Sequence, residues 1–135
     1  MKRQLLLLSS FLFLFTACAP QATSTPAGPQ TLTIMTHDSF AVSEDTVKAF
    51  EETNNARIVF LQSGDAGAVL NKAILTKDAP LADLLFGVDN TFLSRALAAD
   101  IFEAYASPEL KNIPAEFKLD ASNSALPVDY GDVCI

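Results

Sequence analysis

Tryptophan is absent from this 135-residue chain, histidine occurs once, cysteine twice and glycine five times. Cys18 and Cys134 alone provide neither a disulfide framework nor a cysteine-ligated metal site. His37, the single histidine, cannot hold a metal without help from carboxylates. The scattered glycines form no nucleotide-binding loop, and there is no Gly-x-Ser-x-Gly elbow or His-Glu-x-x-His zinc motif. Asp65, Asp89 and Asp129 lack the close ligand spacing of an EF-hand. Basic residues are scarce too, 9 against 16 acidic, for a net charge of −7. That balance argues against nucleic acid or anionic lipid as a direct partner and suits a cationic ligand. The apolar run over residues 5–15 has 11 residues, interrupted only by Ser9 and Ser10. A membrane-spanning helix needs about 20, so this run is too short to span.

What stands at the amino terminus has the layout of an export signal. Met1-Lys2-Arg3 supplies a basic start, the short apolar run follows, and small residues occupy Thr16 and Ala17. Phe15-Thr16-Ala17-Cys18 resembles the lipobox of bacterial lipoproteins, with Phe15 where leucine is usual. The resemblance implies a signal peptide over residues 1–17, cleavage before Cys18, and a lipidated Cys18 tethered to the outer or periplasmic face of the cytoplasmic membrane. Plain secretion with an incidental cysteine fits the same residues. Loss of Lys2 and Arg3 with the signal leaves 7 basic and 16 acidic residues, a net charge of −9.

Residues 19–30 carry no charge and almost no bulky apolar side chain, so they cannot offset their ordering entropy. As a coil, this stretch reaches roughly 20 Å. We expect residues 18–30 to be a flexible, lipid-anchored linker and residues 31–135 to be folded, long enough for one modest core.

Strand and helix signals alternate through the folded part. A first strand is expected at residues 32–35, then a helix capped by Ser43, with Glu44 and Asp45 in its first turn and Asn54-Asn55 at its end. Residues 57–61, continuously apolar from Ile58 to Leu61, predict a buried parallel strand, followed by a helix to about Thr76 with Val69, Leu70, Ala73 and Ile74 on one face. Pro80 ends that helix, residues 84–86 read as a third strand, and Phe92, Ala96 and Leu97 line the inner side of the next helix. Ser107-Pro108-Glu109 marks a further helix start, and residues 125–128 a last extended run, with Pro127 suited to an edge. Such alternation predicts right-handed βαβ units around a parallel sheet, an α/β fold.

Four polar patches follow four of these apolar runs: Thr36-His37-Asp38-Ser39-Phe40, Ser63-Gly64-Asp65-Ala66-Gly67, Gly87-Val88-Asp89-Asn90 and Val128-Asp129-Tyr130-Gly131. Loops at the carboxyl ends of parallel strands line the ligand crevice of an open α/β sheet, so the four patches point to one site. Each candidate also has a purely structural role open to it. Asp38 and Ser39 can organise a turn, Asp65 can cap a helix, and so can Asp89 or Asn90. Tyr130 can pack at a junction.

In order and spacing, the patches over about residues 32–135 resemble the amino-terminal part of thiamine-type substrate-binding proteins of ABC importers. The resemblance implies a periplasmic-binding-protein type II-like parallel-sheet lobe, with the second lobe missing from this chain because the family is two to three times longer. It implies no catalysis, no cofactor, thiamine or a related small molecule as ligand, and an ABC permease as membrane partner. It also implies ligand contacts at Asp38, Ser39, Asp65, Ala66, Asp89, Asn90 and Tyr130. Asp65-Ala66 stands where the family has an Asp-Gly pair, and His37 where it has an aromatic residue. Related carriers of ferric iron, a polyamine or a phosphonate are the nearest alternatives. A secreted thiaminase-like enzyme with Cys134 as nucleophile is the alternative of another class, although no partner base for Cys134 is identifiable. A fragment holding half a clamp, with no function by itself, also fits.

Overall fold

A computed structural model describes residues 28–131. The expected signal peptide, Cys18, most of the expected linker and Cys134 lie outside the described residues. The fold is α/β: a three-stranded sheet in the order β2-β1-β3, with β1 at Gln30–Thr36, β2 at Ala56–Gln62 and β3 at Leu84–Leu85. Both pairings are parallel. Parallel neighbours need a crossover, and helices supply it. Helix α1, Glu44–Asn54, links β1 to β2, α2, Ala66–Leu75, links β2 to β3, and α3, Leu93–Ala98, follows β3.

Local chemistry sets the helix ends. The Ser43 hydroxyl accepts from the Thr46 amide at 3.3 Å, and Glu44 and Asp45 sit in the first turn where the helix dipole favours anions. Asn55 ends α1 in the left-handed region, φ 47°, and its N–H donates to the Glu51 carbonyl. Asp65 caps α2, its Oδ1 accepting from the Ala68 amide at 2.7 Å.

Register brings the loops together. Gln30 pairs with Ala56 and Thr36 with Gln62, so β1 and β2 end level. Strand β3 pairs Ile34 with Leu84 and Met35 with Leu85, then stops one residue before its expected end. The Asp83 carboxylate replaces strand pairing on one side: it accepts from Thr33 N–H at 2.8 Å, while Asp83 N–H donates to the Thr33 carbonyl at 2.9 Å. On the other side Phe86 N–H still reaches the Met35 carbonyl at 2.9 Å, and Gly87, φ 113°, then turns the chain away.

Among the described residues the fully buried apolar ones are Met35 of β1, Val69 and Leu70 of α2, and Ala96 of α3. Helix α1 buries no residue completely, and Val59 and Phe60 of β2 remain exposed. The edge of β2 is partly blunted by Glu51, whose carboxylate accepts from Ile58 N–H at 2.7 Å.

Three expectations need correction. Neither Asp89 nor Asn90 caps α3, which begins at Leu93 after Phe92; Asp89 instead organises the turn before it. Ser107 does cap a helix, but a 3-10 helix, Pro108–Asn112, and a second short one follows at Ala115–Phe117. Residues 125–128 join no strand ladder among the described residues. Asp120 gathers the preceding loop by accepting from the Ser122, Ser124 and Ala125 amides at 2.9, 2.7 and 3.0 Å, an alternative to sheet pairing.

Candidate functional site

Because β1 is central, the loop after it lies between the loops that follow β2 and β3. The first patch is fastened to the second through Asp38. Its N–H donates to the Gly64 carbonyl at 2.9 Å, and Gly64 N–H returns a bond to Asp38 Oδ1, also 2.9 Å. Gln62 Nε2 adds a 3.4 Å contact to the Asp38 carbonyl, and Ser63 N–H donates to the Thr36 carbonyl at 3.0 Å. Gly64 makes this exchange at φ 88°, a backbone conformation few other residues adopt.

Aromatic packing fastens the first patch to the third. The half-buried His37 ring lies 5.7 Å from the Phe86 ring, centre to centre, and 6.4 Å from Phe40. Phe40 in turn packs on Phe86 at 4.8 Å and on Phe60 at 5.4 Å. Ser39 Oγ stands 3.2 Å from His37 Nδ1 and fixes the ring's rotation.

The second and third patches meet at the starts of α2 and α3. A side chain at Gly67 would stand 3.3 Å from both Asp65 Oδ1 and the Phe92 ring, so the glycine lets these approach. Ala66 is the first residue of α2, directly after its cap. Lys72, on the same helix, reaches back to donate to Ser63 Oγ at 3.0 Å. Asp89 Oδ1 accepts from the Thr91 hydroxyl at 2.6 Å and from the Thr91 and Phe92 amides at 2.9 and 3.1 Å. The Thr91 hydroxyl, the largest effect, holds the Asp89 carboxyl below the usual carboxylate range; burial opposes it, and the Phe92 and Thr91 amides add smaller lowering effects. Asn90 is exposed beside it.

The structure thus brings six of the expected residues, Asp38, Ser39, Asp65, Ala66, Asp89 and Asn90, to one edge of the sheet. Tyr130 is different: it is 76 % exposed and stacks on Phe117 at 4.6 Å, with the ring planes 15° apart. A concavity of about 410 Å³ lies to one side between α1 and β2, walled by Phe40, Val42, Val47, Ile58 and Phe60. None of the seven expected residues lines it. Among the described residues no three His, Cys, Asp or Glu side chains cluster to hold a metal ion, and no helix is long and apolar enough to cross a membrane.

Sequence reasoning missed three residues of this edge. Phe86 ends the third apolar run directly before Gly87, which reads as core until the neighbouring loop is in place. Lys72 stands three residues after Val69 on the inner face of α2, and a lysine out of pattern on an apolar face is a readable signal. Thr36 is fully buried, and its hydroxyl has no hydrogen-bond partner among the described residues.

A parallel α/β unit with its polar loops gathered at the carboxyl edge of the strands is the architecture of a small-ligand-binding lobe. No family model matches the chain. Individual relatives do. It is 33% identical to the thiamine-binding periplasmic protein of Brucella suis across 96% of this chain and 38% of that protein. The thiamine-binding periplasmic protein of Salmonella typhimurium is 29% identical across 93% of this chain and 38% of its own length. That of Escherichia coli K12 is 29% identical across 74% of this chain. The chain is therefore a relative of the thiamine-binding periplasmic proteins, and the resemblance read from the four patches holds. It spans 38% of the length of the first two relatives.

Proposed function

We propose that this chain forms part of an extracytoplasmic solute-binding protein that takes thiamine or a thiamine phosphate and delivers it to an ABC permease. The observation that carries this reading is the mutual locking of the three loops at the carboxyl edge of β1, β2 and β3, in a chain related over nearly its full length to thiamine-binding proteins. Asp65 supplies the anionic contact for the thiazolium or the pyrimidine amine, since a capping carboxylate keeps spare lone pairs. Asp38 uses Oδ1 on Gly64 and offers Oδ2, and Ser39, Ala66, Asp89 and Asn90 complete the polar edge; for Tyr130, stacked on Phe117, a ligand contact rests on the family resemblance alone. The protein works at the periplasmic or outer face of the membrane, tethered through Cys18, and performs no covalent chemistry on its ligand. A hinge-closing partner lobe encloses the ligand from the other side.

Isothermal titration of thiamine into protein expressed from the full reading frame, starting at residue 19, tests the assignment. Saturable one-to-one binding with thiamine recovered unchanged is the expected outcome. No binding by a folded protein would overturn it in favour of the iron, polyamine or phosphonate carriers. Turnover of thiamine that disappears in Cys134→Ser would overturn it in favour of an enzyme.

A further inference from the structure

Gly87 occupies a place where two constraints coincide. Its φ of 113° lies in the region that L side chains rarely adopt, and a Cβ there would stand 2.7 Å from His37 Cδ2, 3.6 Å from Cγ and 3.7 Å from Nε2. The first of these distances is far inside van der Waals contact. The ring has little room to give way, because Phe86 and Phe40 pack against it and Ser39 Oγ holds Nδ1. The missing side chain at 87 is therefore what lets the β3–α3 loop close on the imidazole.

We propose that Gly87 is a positioning residue for His37: it seats the imidazole as a fixed wall between the first and third loops, where the ring meets the flat part of the ligand. With Nδ1 engaged by Ser39, Nε2 is the ring's free polar atom, having no protein partner among the described residues. The wall therefore combines a stacking surface with one hydrogen-bonding position, the chemistry that suits a nitrogen-bearing aromatic ring. The ligand part of this inference rests on the thiamine-binding reading; the seating of His37 by Gly87 does not.

A double-mutant cycle in the full chain, with wild type, Gly87→Ala, His37→Ala and both together, separates the two constraints. Backbone strain at 87 acts in either background, whereas the clash needs the imidazole. Gly87→Ala alone should weaken thiamine binding by about tenfold or more, and by no more than about twofold when His37 is already alanine. In the ligand-free protein, the His37 ring-proton resonances, displaced by the Phe86 and Phe40 ring currents, should move towards free-imidazole positions in Gly87→Ala. Equal losses in both backgrounds, or unmoved resonances, would overturn the proposal. If Gly87→Ala folds poorly, the double variant should unfold at a higher temperature than the single one; an equal or lower midpoint also overturns it. Failure of wild type to bind thiamine would instead sink the ligand assignment, while the resonances and unfolding midpoints still judge Gly87.

Discussion

Thr36 closes the central strand with a buried hydroxyl that has no partner among the described residues, and leaving such a group unsatisfied costs about 1–3 kcal/mol. Thr36→Val keeps the branched shape and removes the orphan. We expect urea unfolding to show unchanged or higher stability, by up to about 1 kcal/mol; a loss of that size would mean that the hydroxyl has a water or ligand partner. Asp65 poses a different residue-scale question, because one carboxylate is asked both to cap α2 and to face a cation. Asn caps helices about as well as Asp, whereas Ala costs about 1 kcal/mol. Asp65→Asn should therefore keep the unfolding midpoint yet weaken thiamine binding, while Asp65→Ala should lower both. Equal affinity in Asp65→Asn and wild type would leave Asp65 as a cap only. The capping role was legible because a cap and its amide lie three residues apart. The Asp38–Gly64 exchange was not, because those residues are 26 apart and meet only through the β1–β2 register.

Elements were legible where their ends are written locally and illegible where a distant group replaces regular pairing. Ser43 and Asp65 announce α1 and α2, and Asn55 ends the first of them. Strand β3 stops short of Phe86 because Gly87, φ 113°, turns the chain away, and before its first residue Asp83 replaces pairing by reaching back to Thr33, a contact across 50 residues. The loop at 120–125 illustrates the same substitution of a side chain for a ladder, and it carries a pH dependence. The Ser122 hydroxyl first, and then the Ala125, Ser122 and Ser124 amides, lower the Asp120 carboxyl from 3.8 to about 2. A depressed carboxyl stabilises the folded loop above its unfolded value, so the contribution is present above about pH 4 and is lost as the pH falls through about 2. Carbon-detected NMR titration should place the Asp120 midpoint near that lower value. A midpoint at the ordinary carboxylate position would mean that the loop is not closed around Asp120 in solution.

For the molecule as a whole, charge is the property that reaches furthest. The expected mature chain carries a net −9, and thiamine is a cation, so their attraction should be screened by salt. Raising the salt from about 20 mM to about 500 mM should weaken thiamine binding roughly two- to fivefold. An affinity indifferent to salt would mean that the acidic surface serves solubility alone. The sheet itself is incompletely covered: α1 buries no residue fully, Phe50, Val59 and Phe60 stay exposed, and an apolar groove runs between α1 and β2. Composition could not reveal this, since the same apolar residues read as core wherever they fall.

The order and type of the main elements, the caps of the first two helices and the relationship to thiamine-binding proteins are all written in the linear chain. Each of these depends on neighbours a few residues apart, or on the linear order of patches. Folding alone makes β1 the central strand, ties Asp38 to Gly64, wedges His37 against Gly87 and stacks Tyr130 on Phe117. The physical reason is register: parallel strands bring to one edge residues far apart along the chain, and hydrogen bonds and ring packing act only at contact distance.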